Sequence, residues 1–484
     1  MKIFKSIFIY CILLFILLFF QISTYHYETI DWDINSFLVT SLEFGRDSIP
    51  FENQYENKPP ILFGIFYIFS IFSDKNLVLI KLLNDLVISF TIFQTIFIFK
   101  EDTKLRLNNF LPPILFILFI SNVWFHPSYS EYLSLYFIVS SYLIYKKIKK
   151  FYKYSLIGLL VGISSLINLG TVIYLICYIL IFFLFEVKKL KSIINLLFGF
   201  GLIHLLLLLI YYFRGLVDEY IMSMLFIPIS YGTTQFSLLS SITIFLNSFV
   251  SYSFYIYILL IFTFSIFIFK IFILSKNFDL NFKHIEILFF IFISIMFFSL
   301  AGKGYYHHLI FLLYFVSLTP VWVENIITKK TMVALTIFTL LISVNKFYEQ
   351  TFVNLENFNS LQENYPIKII SDNIISEKTD YDVIFSTEYI LLLYYLDERN
   401  SSYIVHPTLY DYEEITSVLV KYGKISIDEK SENLDKEPDI IEGFKSDEVF
   451  KNYKQYNTSD LNLELKLLNY WDKDPNINIL IRKN

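Results

Sequence analysis

Apolar runs of about 15 to 24 residues recur along most of this 484-residue chain. A helix needs roughly 20 such residues to cross the hydrocarbon core of a bilayer. Composition agrees: 55% of residues are hydrophobic and 17% charged, where soluble domains carry about 25% charge. The sequence predicts a polytopic, all-α membrane protein. The runs fall at 3–22, 77–99, 109–124, 131–145, 154–169, 171–186, 193–212, 250–272, 285–301, 308–323 and 331–345. Lys2 and Lys5 precede the first, and "QISTYHYE" after it holds no small-residue cleavage site, so it reads as an uncleaved span. Cys11 and Cys177 both lie inside apolar runs and behave as small buried hydrophobes, with no disulfide framework. The net charge of −5 says less than where the charges fall.

One more apolar stretch, Pro59 to Phe72, decides the topology. Its length reaches only about 21 Å as a helix, short of the roughly 30 Å core. If it does not cross, the basic clusters Lys146–Lys153, Lys188–Lys191 and Lys329–Lys330 share the inner side with Lys2 and Lys5. The outer loops then hold only Arg46, Lys58, Lys75, Arg214 and Lys303. Positive charge collects on the cytoplasmic side, so 59–72 is expected to lie along the outer interface. The result is eleven spans with the N-terminus inside a plasma membrane and an outer tail at 346–484. The tail is rich in Asp, Glu, Asn and Lys. It has strand-like "YDVIFS" and "SSYIVHP" around a helical "TEYILLLYYLDER". It reads as a small extracytoplasmic α/β domain beside a transmembrane domain at 1–345.

This topology places the informative polar residues on the outer face. Loop 23–76 carries Asp31 and Asp33, the loop at 125–130 leads into Glu131, and "GKGYYHH" occupies 302–308. Charge at a membrane edge is costly and marks function by default. Glu43, Asp47, Glu52 and Glu56 read as solvated loop residues. No phosphate-binding Gly-rich loop, H-E-x-x-H zinc motif or G-x-S-x-G elbow occurs. The adjacent His307 and His308 are not expected to serve one metal from a single helix face. Gly199 and Gly201 of "GFG" fall mid-span, where helix packing explains them. Carboxylates with isolated cations remain. They suit a general base, or a hard divalent cation, facing an anionic lipid head group.

These residues resemble, in order, a known family. An acid follows the first span, Gly45 comes fourteen residues after Asp31, and "PFENQYENKPP" follows at 50–60. "NLVLIKLLN" at 76–84, "SYSEYLSLYF" and "GKGYYHHLIFLLY" continue the pattern over about 30–324. The whole is similar to the GT-C glycosyltransferases of the protein mannosyltransferase and aminoarabinose transferase type. The K-P-P loop is the most specific part. Three positions depart from the pattern: Asn35 and His308 stand where the family has Tyr, and Tyr314 where it has Pro. The family's acidic pair is D-W-D here, so Asp31 and Asp33 are both candidates.

The resemblance implies an inverting transferase. Its donor would be a polyprenyl monophosphate sugar, and its acceptor a hydroxyl on a lipid, glycan or protein. Asp31, or Asp33, would act on that hydroxyl. Lys58 would face the leaving phosphate, with Lys81, Arg214, Lys303 and His307 as further donor contacts. Glu131 would hold the acceptor or a divalent ion such as magnesium or manganese, which some relatives require. A transporter of lipid-linked sugars is the alternative, and Asp85 and His204 are the mid-span ionisable residues it would use. A scaffold with the tail as its binding module is a third reading.

Overall fold

The first apolar run holds no Pro or Gly to interrupt a helix, and Lys2–Gln21 forms one. The structure, a computed structural model, describes residues 2–98, 109–121, 123–235, 243, 285–300, 305–319, 348–377, 381–444, 452–456 and 477–483. The expected spans at 250–272 and 331–345, and Lys303, lie outside them. Every other expected span holds a helix, and the described residues are mostly helical with one small sheet.

Three helices among the described residues are long and apolar enough to cross a membrane: Ser6–Thr24, Leu77–Ile98 and Lys189–Arg214. Others are shorter than their apolar runs. Helix Leu111–Phe119 has nine residues, a rise of about 14 Å. It starts at Leu111 with Pro112 and Pro113 in its first turn, where missing N–H groups cost least. Helix Ile310–Ser317 has eight residues.

Contacts divide the chain into two compact units. The first comprises Met1–Ser23, Asn84–Leu207 and Gln235–Val353. Its core is aromatic: the Phe290 and Phe315 rings stack at 4.6 Å, and Tyr174 packs against Phe311 at 5.3 Å. Two tyrosine hydroxyls in this core are paired. Tyr174 meets Ser294 at 2.7 Å and Tyr314 meets Thr95 at 2.8 Å. Tyr314 thus ties two helices together. Glycines let helices Lys153–Ser165 and Lys189–Arg214 touch backbone to backbone. A Cβ on Gly158 would lie 2.0 Å from Leu196 O, and one on Gly199 2.0 Å from Ser155 O. Packing therefore accounts for Gly199, whereas Gly201 faces open space.

The second unit comprises Thr24–Leu83, Leu208–Thr234 and Asn354–Asn484. The expected boundary at 345 follows the change in composition. Contacts instead group 354–484 with 24–83 and 208–234. The tail's sheet has the order β1-β2-β4-β3, with β1 Ile384–Ser386, β2 Ile440–Glu442, β3 Tyr453–Gln455 and β4 Ile479–Arg482. β1 and β2 are parallel, joined through helices Leu391–Leu396, Glu413–Lys421 and Glu429–Asp435, and β4 is antiparallel to both its neighbours. β1 lies within "YDVIFS" as expected. "SSYIVHP" is not a strand of this sheet. Its Ile404 forms a single parallel bridge with Tyr55, closed by Tyr55 N to Tyr403 O and Val405 N to Tyr55 O.

At the "KPP" junction Lys58 sits in a bend just before the helix. Pro59 is extended (φ −69°, ψ 154°), and Pro60 opens a 14-residue helix, Pro60–Ser73. That helix ends at Asp74, whose φ of +51° reverses the chain.

Candidate functional site

Asp31 sits at the N-cap of helix Trp32–Ser41, where its carboxylate accepts the Asp33 N–H at 3.0 Å. That cap aims Asp33 from the first turn. Asp33 Oδ1 lies 3.1 Å from His406 Nε2. His406 in turn caps the short helix Pro407–Asp411, accepting the Thr408 N–H at Nδ1 (3.3 Å). An acceptor at Nδ1 places the neutral ring's proton on Nε2, so His406 donates to Asp33. Trp32 meets the imidazole edge-on at 6.5 Å.

Glu56 completes the group. It is fully buried, and neither carboxylate oxygen has a hydrogen-bond partner of ordinary geometry among the described residues. Burial pushes its carboxyl above the usual range; His406, Lys58 and Ser36 oppose that shift and Asp33 adds to it. Burial disfavours the His406 imidazolium, but Glu56, Asp33 and Asp31 outweigh it and its pKa rises above 6.5. Lys58 extends over the Phe37 ring at 5.9 Å, near enough to Glu56 to be felt there. Of the residues the sequence nominated, Asp31, Asp33 and Lys58 therefore share one neighbourhood.

Lys81 does not join it. Its amine binds the Tyr27 carbonyl and lies over the Tyr365 ring, and it acts electrostatically on Glu28. Glu28 is buried and accepts the N–H groups of Ile367 (2.7 Å) and Lys368 (3.0 Å). It caps the tail helix Pro366–Glu377 from outside that helix. Burial pushes its carboxyl up to about 7, against those bonds and against Tyr395 and Lys81. Arg214 donates to the Asp47 carbonyl at 2.8 Å and is exposed.

Two of the acids expected to be solvated are not. Glu43 is fully buried. Its two oxygens take Arg399 Nε and Nη2 (2.8 and 3.3 Å), Ser48 Oγ (2.6 Å) and Asn53 Nδ2 (3.1 Å). Glu56, described above, is the second. Cations for these buried acids come from the tail, Arg399 and His406, and from the loop itself, with Arg46 3.6 Å from Glu43 and Lys58 acting on Glu56. Glu52 stays half-buried and caps a turn through the Ile49 N–H.

The first unit holds the other nominated pair. Glu131 is in the first turn of helix Ser130–Lys147, fully buried, and held by Asn168 Nδ2 at 2.9 Å and Ser130 Oγ at 3.2 Å. His308 Nε2 is 3.8 Å from Glu131 Oε1. His307 stacks on Tyr129 at 4.3 Å. Glu131, His307 and His308 each offer a ligand atom within 4.8 Å of the others. The two histidines lie on a tight 3₁₀ turn, Tyr306–Leu309. On that turn, unlike a regular helix face, the two neighbouring rings lie 4.4 Å apart. His204 meets Ser165 Oγ at 2.9 Å, a satisfied contact between helices. Asp85 is buried in the same unit.

Sequence reasoning missed His406, Glu28, Arg399 and Asn168. Nothing near His406 in "SSYIVHP" marks it as a partner of Asp33, 373 residues away. No family model matches this chain, and no curated protein and no solved structure matches it.

Proposed function

We propose that this protein is an inverting glycosyltransferase of the outer membrane face, using a polyprenyl monophosphate sugar as donor. The observation that carries the reading is the grouping of Asp31, Asp33, Glu56, Lys58 and His406 within one compact unit. The order of its loop motifs supports it as well. In this reading the chain has eleven spans, its N-terminus is cytoplasmic, and loop 23–76 and the tail are extracytoplasmic.

The acceptor oxygen attacks the anomeric carbon as the bond from that carbon to the phosphate oxygen breaks, inverting the centre. The acceptor proton passes to Asp31. Asp33, whose carboxylate pairs with His406, is the second choice, because the spacing to Gly45 favours Asp31. The lipid phosphate leaves with added negative charge. Lys58, fixed by the extended Pro59 that follows it, stabilises that charge. A cation aimed at charge that develops in the transition state accelerates the step more than it tightens substrate binding. The buried oxygens of Glu56, neither held by a hydrogen bond of ordinary geometry among the described residues, give the site a polar group able to receive a sugar hydroxyl.

The test is sugar transfer by the purified protein in proteoliposomes. Asp31→Asn is expected to lower transfer by at least about 100-fold, the usual scale of a positioned base. Lys58→Ala is expected to lower kcat more than it raises KM. Full activity in both Asp31→Asn and Asp33→Asn would sink the reading.

A further inference from the structure

We propose that Glu131, His307 and His308 form a transition-metal site, best matched to zinc. The site is assembled within the first compact unit and does not depend on the sugar-transfer reading.

Geometry is the first argument. The three ligand atoms lie within 4.8 Å of one another. Tetrahedral zinc, with bonds of 2.0–2.1 Å, holds its ligand atoms about 3.4 Å apart. Small side-chain rotations close that difference. The 3.8 Å between His308 Nε2 and Glu131 Oε1 exceeds a hydrogen bond and suits two ligands placed around an ion.

The surroundings are the second argument. A carboxylate with no exposed surface is costly unless compensated. The two imidazoles each bring a ring nitrogen within 4.8 Å of a Glu131 oxygen. Asn168 donates to Glu131 through Nδ2, and its own Oδ1 accepts the Gly170 N–H at 3.2 Å, so the donor is itself held. His307 lies flat against Tyr129 at 4.3 Å and Tyr305 at 5.6 Å. His308 meets Phe297 edge-on at 6.0 Å. Metal sites use such outer contacts to fix the orientation of their ligands.

The donor set chooses the ion. Magnesium takes oxygen ligands and keeps its waters, whereas imidazole suits zinc and its late first-row neighbours. One carboxylate and two imidazoles leave a fourth position for water or an anionic ligand, as in open zinc sites. The rival is a plain Glu131–His308 ion pair, with His307 as a stacked aromatic.

Cobalt titration of the full-length protein, purified without a histidine tag, separates the two. The wild type is expected to bind one equivalent of Co2+ with the visible d–d absorption of a four-coordinate ion. Zn2+ should displace it and excess Mg2+ should not. Glu131→Gln, His307→Gln and His308→Gln should each weaken binding by more than about tenfold, and Asn168→Ala by about 10- to 100-fold. Melting curves of the metal-free variants identify any that fail to fold. Asn168→Ala, which leaves all three ligands in place, then provides the reading. A folded wild type without the cobalt band, or binding unchanged in every folded variant, would overturn the site in favour of the ion pair.

Discussion

Protonation of His406 strengthens its hold on Asp33, so the contact is worth most at low pH. The folded pKa lies above the ordinary 6.5, which fixes the sign. The stabilisation is fully present below about 6.5 and is lost as pH rises through the folded value. Glu56 acts in the same direction: its raised pKa means that ionisation at higher pH weakens the fold. The melting-temperature gap between wild type and His406→Gln should therefore be largest near pH 5.5 and shrink toward pH 8.5. Its low-pH size should match about 1.5–3 kcal/mol, the worth of a charged hydrogen bond. A gap that grows with pH would contradict the pairing. Arg399→Ala should also destabilise, by about 1–3 kcal/mol in denaturant titration. It strips the principal cation from fully buried Glu43, and the arginine's partial exposure keeps the figure below that of a sealed ion pair. At this scale the sequence showed which residue types matter, and little about their partners. Asp31 and Lys58 stood out because loop spacing is local information. His406 and Arg399 did not, because only folding brings them to residues more than 350 positions away.

The elements were more legible, because a helix is set by its own side chains. The start of helix Pro60–Ser73 follows from two prolines, and β1 falls within the apolar "YDVIFS". "SSYIVHP" has the same strand-like composition, yet Tyr55 captures it in one bridge, since pairing depends on what lies alongside. Lengths were less legible than positions, as helix Leu111–Phe119 shows against its run at 109–124. Close packing of helices Lys153–Ser165 and Lys189–Arg214 gives a sharp test. Gly158→Leu or Gly199→Val must push backbones apart and is expected to cost more than about 3 kcal/mol, the upper end for overpacked cores. Gly201→Ala, which meets nothing within 4 Å, should melt like wild type. Equal melting temperatures for Gly158→Leu and Gly201→Ala would contradict the packing.

For the molecule as a whole, the proposed topology rests on charge placement and apolar runs, and the proposed reaction on the loop motifs and the Asp33–His406 group. Introduced cysteines test the first part. Cysteines in the tail and in loop 23–76 should label with an impermeant thiol reagent in intact cells, and cysteines at 146–153 only after lysis. The reverse pattern would turn the topology over. The claim of sugar transfer is tested most directly by mass spectrometry of lipid-linked sugars in a deletion strain. A polyprenyl monophosphate sugar should accumulate there, fall when the wild-type chain is restored, and stay high with Asp31→Asn inserted in the membrane at equal level. No accumulation on deletion, or clearance by both Asp31→Asn and Asp33→Asn, would contradict it.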